Sequence, residues 1–220
     1  MRILFPPRPK GKINPLLDLP AFEKTGKYVA QRKYNGTRTL MYFDQNHHIE
    51  LYDRYGQKNP YQLSPPQEKL FLKSLNLEQG KTYWLDGELL HFKTKLTDPR
   101  PECRIKDTIV LYDILWKDKL LFGMNQMVRL ELLNNICNQP KKLEEYGRGL
   151  EICPNFWLAE VFKDNFVALF QQAVDLGENG WCEGLVLREI NSRLDIACSK
   201  VNDEVTWQKR CRKPHKNYTH

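Results

Sequence analysis

The sequence predicts an α+β fold, mainly antiparallel sheets with flanking helices. Three observations predict it. Strand-like runs outnumber helical ones along the chain. They are joined by short turns, at Asn35-Gly36 and at the stretch DQNHH, which suit antiparallel neighbours. The helical segments are too few to supply the regular crossovers of a doubly wound parallel sheet. No internal repeat, low-complexity segment or composition shift breaks the chain, so its 220 residues read as one domain spanning 1–220.

The elements follow in order. The first twenty residues are proline-rich and are expected to run extended, wrapped on the domain. KYVAQRK, TRTLMYF and HIELYDR read as strands, and the last alternates apolar and polar residues as a half-buried antiparallel strand does. A helix is predicted from Pro65-Pro66 through PQEKLFLKSLNL to a stop near Gly80. YWLDGELLHF reads as a strand pair or one bent strand, and DTIVLYDILW as an apolar core strand. MNQMVRLELLNNIC and NFVALFQQAVDLG carry helical periodicity, the second with Gly177 as its stop signal. CEGLVLRE reads as a buried strand, and EVTWQKRCRK as a last strand with basic residues on both faces.

Composition narrows the function classes. Hydrophobic residues make up 41%, enough for a sizeable core. No run reaches the length of a membrane helix, and MRILFPPRPKGK lacks the apolar region of a secretory signal, so a cytoplasmic protein is expected. The six cysteines are scattered without a C-x-x-C pair, which argues for reduced thiols over a zinc site or disulfide framework. The net charge of +7 is concentrated at the ends. No acid follows Glu204, whereas Lys209, Arg210, Arg212, Lys213 and Lys216 do, and Arg2, Arg8, Lys10 and Lys12 open the chain without an acid. Such ends suit a phosphate-bearing partner, because counterion release drives binding to a polyanion; a solvated tail is the alternative that charge alone leaves open.

Five stretches carry unusual chemistry. KYNGTR offers Lys33 and Arg38 around a turn. A lysine attacks only as the free amine, which burial or nearby cations must favour; arginine is a natural phosphate ligand. DRYG places Arg54 at a strand end, which alone is an ordinary hairpin corner. In LDGEL, Asp86 and Glu88 are two apart and on a strand point the same way, suiting Mg²⁺ or a ribose hydroxyl; the plain alternative is a polar edge with a glycine bulge. Tyr112 of LYDIL can stack on a base or serve as a core tyrosine. EGLVLR sets Glu183 at the mouth of an apolar strand, costly unless paired with a metal or a lysine, and ends on Arg188, a candidate phosphate ligand.

Each stretch alone is weak, but their order is specific. Lys-x-Asn-Gly-x-Arg, Arg-x-Gly, Asp-Gly-Glu, an aromatic-Asp, Glu-Gly-x-Val-x-Arg and a basic strand together resemble the covalent nucleotidyltransferase superfamily of ATP-dependent DNA ligases, RNA ligases and capping enzymes, over about residues 24–213. The resemblance implies the ATP-grasp-like nucleotidyltransferase domain of polynucleotide ligases. It implies that Lys33 attacks the α-phosphate of ATP to form a lysyl–AMP, that the adenylate passes to a 5′-phosphate, and that a 3′-hydroxyl then displaces AMP. By the same resemblance Glu183 is the Mg²⁺-associated carboxylate, Glu88 contacts the ribose, Asp86 assists the later steps, Tyr112 stacks on adenine and Gln31 reads its edge. Arg38 and Arg54 hold the nucleotide and the 5′-phosphate end. The family's last motif, Lys-x-Lys, falls on KRCRK, where either Lys209 with Lys213 or Arg210 with Arg212 fits.

Two departures bear on the function. Asn35 stands where most DNA ligases carry aspartate, as in some RNA ligases. The chain closes just after the last motif, so the expectation is an adenylation domain without a C-terminal OB domain, its duplex grip supplied by the basic tail or by a partner. The reading is an ATP-dependent polynucleotide ligase using ATP and Mg²⁺ on nicked nucleic acid, DNA preferred. The alternatives are an RNA ligase, a capping guanylyltransferase, or a nucleic-acid-binding relic that kept the fold.

Overall fold

The computed structural model describes residues 3–90, 105, 107–143, 149–177, 181–194, 200–201 and 203–212. In chain order the elements are β1 (Arg8–Pro9), α1 (Asp18–Lys24), β2 (Tyr28–Tyr34), β3 (Thr37–Phe43), β4 (Ile49–Asp53), α2 (Pro65–Lys73), β5 (Tyr83–Leu90), β6 (Thr108–Lys117), β7 (Lys119–Leu120), α3 (Gln126–Ile136), β8 (Lys141–Lys142), β9 (Leu150–Cys153), β10 (Phe156–Leu158), α4 (Phe166–Gly177), β11 (Cys182–Glu189), β12 (Glu204–Val205) and β13 (Gln208–Arg212). The α+β class holds, with strands dominant and four helices among the described residues.

A large sheet runs β4-β3-β5-β6-β10-β9-β8, with β7 pairing β6, and a small one runs β13-β11-β2. Pairing is antiparallel apart from β10 with β6 and the short β1 with β12. One sequence expectation is corrected here. Asn35-Gly36 does not close a hairpin: β2 pairs β11 in the small sheet, whereas β3 pairs β4 and β5 in the large one. The turn therefore carries the chain from one sheet to the other. It needs glycine because a Cβ at Gly36 would lie 2.3 Å from the carbonyl oxygen of Leu89.

The helices close the outer faces. Ser64 forms a capping box with Gln67 at the start of α2. That helix ends at Lys73, short of the predicted stop near Gly80, because the next segment docks on α3: Leu75 is buried and the Asn76 N–H donates to the Ile136 carbonyl at 2.7 Å. The Asn125 side chain caps α3 by accepting from the Val128 N–H at 3.0 Å. The start of α4 is capped from α1, where the Glu23 carboxylate accepts from the N–H groups of Asn165 and Phe166 at 2.8 and 2.9 Å. α4 lays Phe166, Leu169 and Ala173 against Leu185 and Leu187 of β11 in one core cluster. A second cluster lies between the large sheet and α2, α3, with Phe71 and Phe156 stacked at 3.9 Å.

The N-terminal segment runs extended only as far as Asn14, short of the first twenty residues for which the sequence predicts it; a turn at 15–17 and α1 from Asp18 follow, and the extended part is held on the domain. Leu4 is buried with Leu40, Trp84 and Leu115 in a third cluster. The Arg8, Lys10 and Ile13 N–H groups donate to the carbonyls of Asp203, Val205 and Arg210. The predicted single last strand is two, β12 and β13, separated by a turn at Thr206 and Trp207, because β12 is drawn to β1 and β13 to β11. Residues 91–92 and 213–220 of the predicted strands and tail lie outside the described residues.

Candidate active site

The two sheets meet at the 35–36 turn, and the side chains of interest gather there. Residues directly opposite across antiparallel strands share a face. Lys33 on β2 lies opposite Gly184 on β11, which lies opposite Arg212 on β13. The next row on that face is Gln31, Val186 and Arg210. In this register Arg210 and Arg212 share the face of Lys33. Lys209 points to the other side with buried Cys211, its Nζ 6.0 Å from the Phe22 ring, and Lys213 lies outside the described residues.

Glu183 sits in an irregularity of the β11–β2 pairing and turns toward the lysine. Its Oε2 is 2.6 Å from Lys33 Nζ and 3.0 Å from Arg212 Nη2, with all three side chains about one-fifth exposed. Gly184 makes this possible. Its φ is +137°, in the region that favours glycine, and a Cβ there would lie 2.2 Å from the Cys211 carbonyl oxygen. β13 is thereby free to approach β11 closely beside the carboxylate.

The large sheet supplies the facing acids. Arg38 lies opposite Glu88 on β5 and forks onto Asp86, with Nε–Oδ1 at 2.7 Å and Nη2–Oδ2 at 2.5 Å. Asp86 is 1% exposed, so this pair is a buried anchor. Glu88 accepts from the Gly36 N–H at 3.1 Å. Burial raises its pKa, as does the charge of Glu183, against the lowering effect of Lys33 and Arg38. Glu88 thus feels the charges of Lys33 and Glu183 across the turn.

Tyr112 on β6 is mostly buried beside Tyr34, its hydroxyl accepting from the Tyr34 N–H at 3.3 Å. Gln31 is 1% exposed; its Nε2 donates to the Tyr112 carbonyl at 3.4 Å and its Oε1 is buried with no hydrogen-bond partner among the described residues. An unsatisfied buried acceptor is costly and fits a ligand group that would complete it.

Two predicted residues stand apart. Arg54 is exposed at the turn after β4, its guanidinium on Tyr55 with an Nη2–Oη distance of 2.6 Å. Arg188 shares the strand face of Gln31 and Lys33 but its guanidinium is engaged in a buried cluster, with Nη1 at 3.1 Å from Asp113 Oδ2. That cluster was missed by sequence reasoning. Asp113 also accepts from Arg129 Nε and Nη2 and from Gln126 Nε2, each at 3.1 Å, and from the Ile114 N–H at 2.8 Å. Burial pushes the Asp113 pKa up, but the charges of Arg129 and Arg188 and the hydrogen bonds outweigh it, so the net shift is downward. The signal was present in MVRLELL, where Arg129 falls on the same helical stripe as Leu133 and Ile136. Lys33, Glu183, Arg210, Arg212, Glu88, Asp86, Arg38, Gln31 and Tyr112 are brought together around the junction of the sheets.

A carboxylate pair beside a lysine fits Mg²⁺ as it is bound with phosphate oxygens and water. Among the described residues no group of three His, Cys, Asp or Glu gathers to make a metal cage.

The fold is that of a ligase nucleotidyltransferase domain. Residues 19–202 match the family model described as the ATP dependent DNA ligase domain, and the chain belongs to that family. The structure is similar to a mycobacterial DNA ligase D complexed with ATP and MES, at 15% identity and a TM-score of 0.57, covering 95% of this chain and 60% of that one. It is similar to the ligase domain from M. tuberculosis LigD at 18% identity and a TM-score of 0.55, covering 96% and 60%. It is also similar to the Chlorella virus DNA ligase-adenylate at 15% identity and a TM-score of 0.51, covering 96% and 67%. The chain thus spans 60% of the length of the first two neighbours. Comparison with curated proteins gave no match. No helix among the described residues is long and apolar enough to cross a membrane.

Proposed function

We propose that the protein is an ATP-dependent polynucleotide ligase that seals 5′-phosphate/3′-hydroxyl nicks through a lysyl–AMP on Lys33, with DNA preferred to RNA. The observation that carries this is the shared carboxylate: Lys33 Nζ and Arg212 Nη2 both meet Glu183 Oε2, at 2.6 and 3.0 Å. A lysine held on the Glu183 carboxylate, beside guanidinium groups suited to phosphate, is arranged for phosphoryl chemistry, which is mostly positioning and electrostatics.

In the first step the Lys33 amine, after losing a proton, forms an N–P bond to the α-phosphorus of ATP. The P–O bond to the β-phosphate breaks, and pyrophosphate leaves with the electron pair. Glu183 is placed to receive the ammonium proton. Arg210 and Arg212 offset charge on the phosphates, Gln31 Oε1 accepts from the adenine amine, Tyr112 stacks on the base and Glu88 meets the ribose. Glu183 would hold Mg²⁺, which when bound neutralises charge on the phosphate oxygens. In the second step a 5′-phosphate oxygen displaces Lys33 and takes the adenylate. In the third a 3′-hydroxyl attacks that 5′-phosphorus and AMP departs. Asp86 assists these later steps, and Arg38 and Arg54 hold the nucleotide and the 5′-phosphate end.

The test is incubation with α-labelled ATP or GTP, then denaturation. Label from ATP that requires Lys33, survives alkali and is lost in acid supports the reading; label from GTP alone moves it to capping, and none from either in folded protein overturns it. A nick series with deoxyribose or ribose on the 3′-hydroxyl side separates DNA from RNA sealing. The RNA reading has Asn35 in its favour.

A further inference from the structure

The basic N-terminal segment is built into the mouth of this site. Its backbone is tied to both sheets. The Pro7 carbonyl accepts from Arg38 Nη1 of the large sheet at 3.5 Å, and the next residue, Arg8, donates its N–H to the Asp203 carbonyl at 2.7 Å. Lys12 then bridges to Arg210 at the free edge of β13, where the Ile13 N–H meets the Arg210 carbonyl at 3.1 Å. A segment fixed at Pro7, Arg8 and the Lys12–Ile13 bridge in this way, with Leu4 buried beneath it, is not a solvated tail.

Its path brings Arg8 alongside β13, the strand that carries Arg210 and Arg212. β1 packs against β13 as well as pairing β12. Arg210 lies in this setting: its Nε is buried with no hydrogen-bond partner among the described residues, and its pKa is lowered by burial first and then by the like charges of Arg212 and Arg8. The acid opposite Arg8 in the β1–β12 register is Glu204, which is exposed. Grouped guanidinium groups with an unmet buried donor are unfavourable by themselves and become favourable when an anion bridges them. Lys33 and Arg212 share Glu183, whereas Arg210 feels Glu183 and Glu204 only as weaker, opposing charges and keeps its Nε without a hydrogen bond among the described residues.

We propose that Arg8, delivered by the N-terminal strap, joins Arg210 and Arg212 in a receptor for the β- and γ-phosphates of the nucleotide and for the pyrophosphate that leaves. This rests on the ligase reading. It assigns to the strap the task of holding the leaving group while the N–P bond to Lys33 forms. The same receptor would take pyrophosphate in the reverse reaction, when its oxygen attacks the lysyl–AMP phosphorus and the N–P bond breaks.

The test compares the full-length protein with Arg8→Gln and Arg8→Lys. One arm follows labelling by α-labelled ATP and release of labelled ATP when pyrophosphate is added to the adenylated enzyme. Losing one charge-assisted phosphate contact should raise the KM for ATP and the half-saturating pyrophosphate together by about tenfold to a hundredfold. Arg8→Lys should fall between, since it keeps the charge and loses the fork. The second arm needs no catalysis: magnesium pyrophosphate should raise the Tm of the wild type and raise that of Arg8→Gln much less, while AMP raises both alike. Equal responses of wild type and variants to ATP, pyrophosphate and AMP overturn the proposal. Equal weakening toward all three also overturns it, because the strap would then act on the fold alone. If Arg8→Gln does not fold, Arg8→Lys carries both arms under the same criteria. Absence of label on the wild type refutes the ligase reading, whereas the pyrophosphate arm still decides on Arg8.

Discussion

The buried cluster around Asp113 makes the sharpest stability prediction. Its carboxylate takes five hydrogen bonds, from Arg129 Nε and Nη2, Arg188 Nη1, Gln126 Nε2 and the Ile114 N–H. The Arg129 and Arg188 side chains are 0% and 6% exposed, and Asp113 itself 3%. Asp113→Ala leaves two guanidinium groups buried without their carboxylate. Removing one partner of a buried ion pair costs about 3–5 kcal/mol, and two stranded cations place this site at the upper end. With a urea slope of about 3 kcal/mol/M, the unfolding midpoint should fall by about 1.0–1.7 M, toward the larger value. Asp113→Asn keeps an acceptor and loses the charge, so its fall should be smaller. The pH dependence has a definite sign. The folded Asp113 pKa lies below the ordinary value, so its contribution is present above the unfolded carboxylate pKa of about 3.9 and is lost as pH falls through the folded value. Asp113→Ala should therefore lose part of the acid-side decline in stability that the wild type shows. Equilibrium urea unfolding followed by tryptophan fluorescence, at pH 7 and through the acid range, measures both. A midpoint shift at pH 7 below about 0.3 M would refute the argument that this carboxylate neutralises the cluster.

Two further outcomes follow from particular contacts. Gly184→Ala places a Cβ 2.2 Å from the Cys211 carbonyl oxygen at a φ of +137°, and should cost about 3 kcal/mol; label transfer should fall more than stability predicts, because Glu183 is displaced from Lys33. Thermal unfolding beside the ATP-labelling assay checks it, and equal labelling at a temperature where both proteins are folded counts against the coupling. Cys211→Ser puts a hydroxyl among the apolar groups of the first core cluster and should lower stability by about 1–2 kcal/mol. Its labelling should match the wild type at low temperature, since Cys211 faces away from Lys33; a dead but folded variant would mean the register of the last strand is misread.

Much of the site was legible in one dimension because its residues sit in short motifs with fixed spacing. Lys33, Glu88 and Glu183 are named by KYNGTR, LDGEL and EGLVLR, and the structure brings them to one junction. The strands β2, β3, β4, β6 and β11 and the helices α3 and α4 were legible because each is long enough to display its period. β8, β9 and β10 were not, having 2, 4 and 3 residues. α1, with 7, was also missed. A pattern needs about two full repeats before it can be told from chance. Asn35-Gly36 misled for a different reason. The pair specifies a tight turn, and a tight turn is compatible both with a hairpin and with a passage between sheets.

Chain order therefore settled the class of protein and the identity of its charged residues, because motif order survives without coordinates. Pairing across the fold settled everything that depends on which side a residue faces. KRCRK alternates, so the chain alone offered two basic faces; only the β13–β11–β2 register puts Arg210 and Arg212 with Lys33 and turns Lys209 away. Arg188 reads the same whether it meets phosphate or a buried acid, and only Asp113 on a strand of the other sheet decides the matter. Electrostatics and hydrogen bonding act over a few ångströms, and those distances are set by which strands become neighbours, not by separation along the chain.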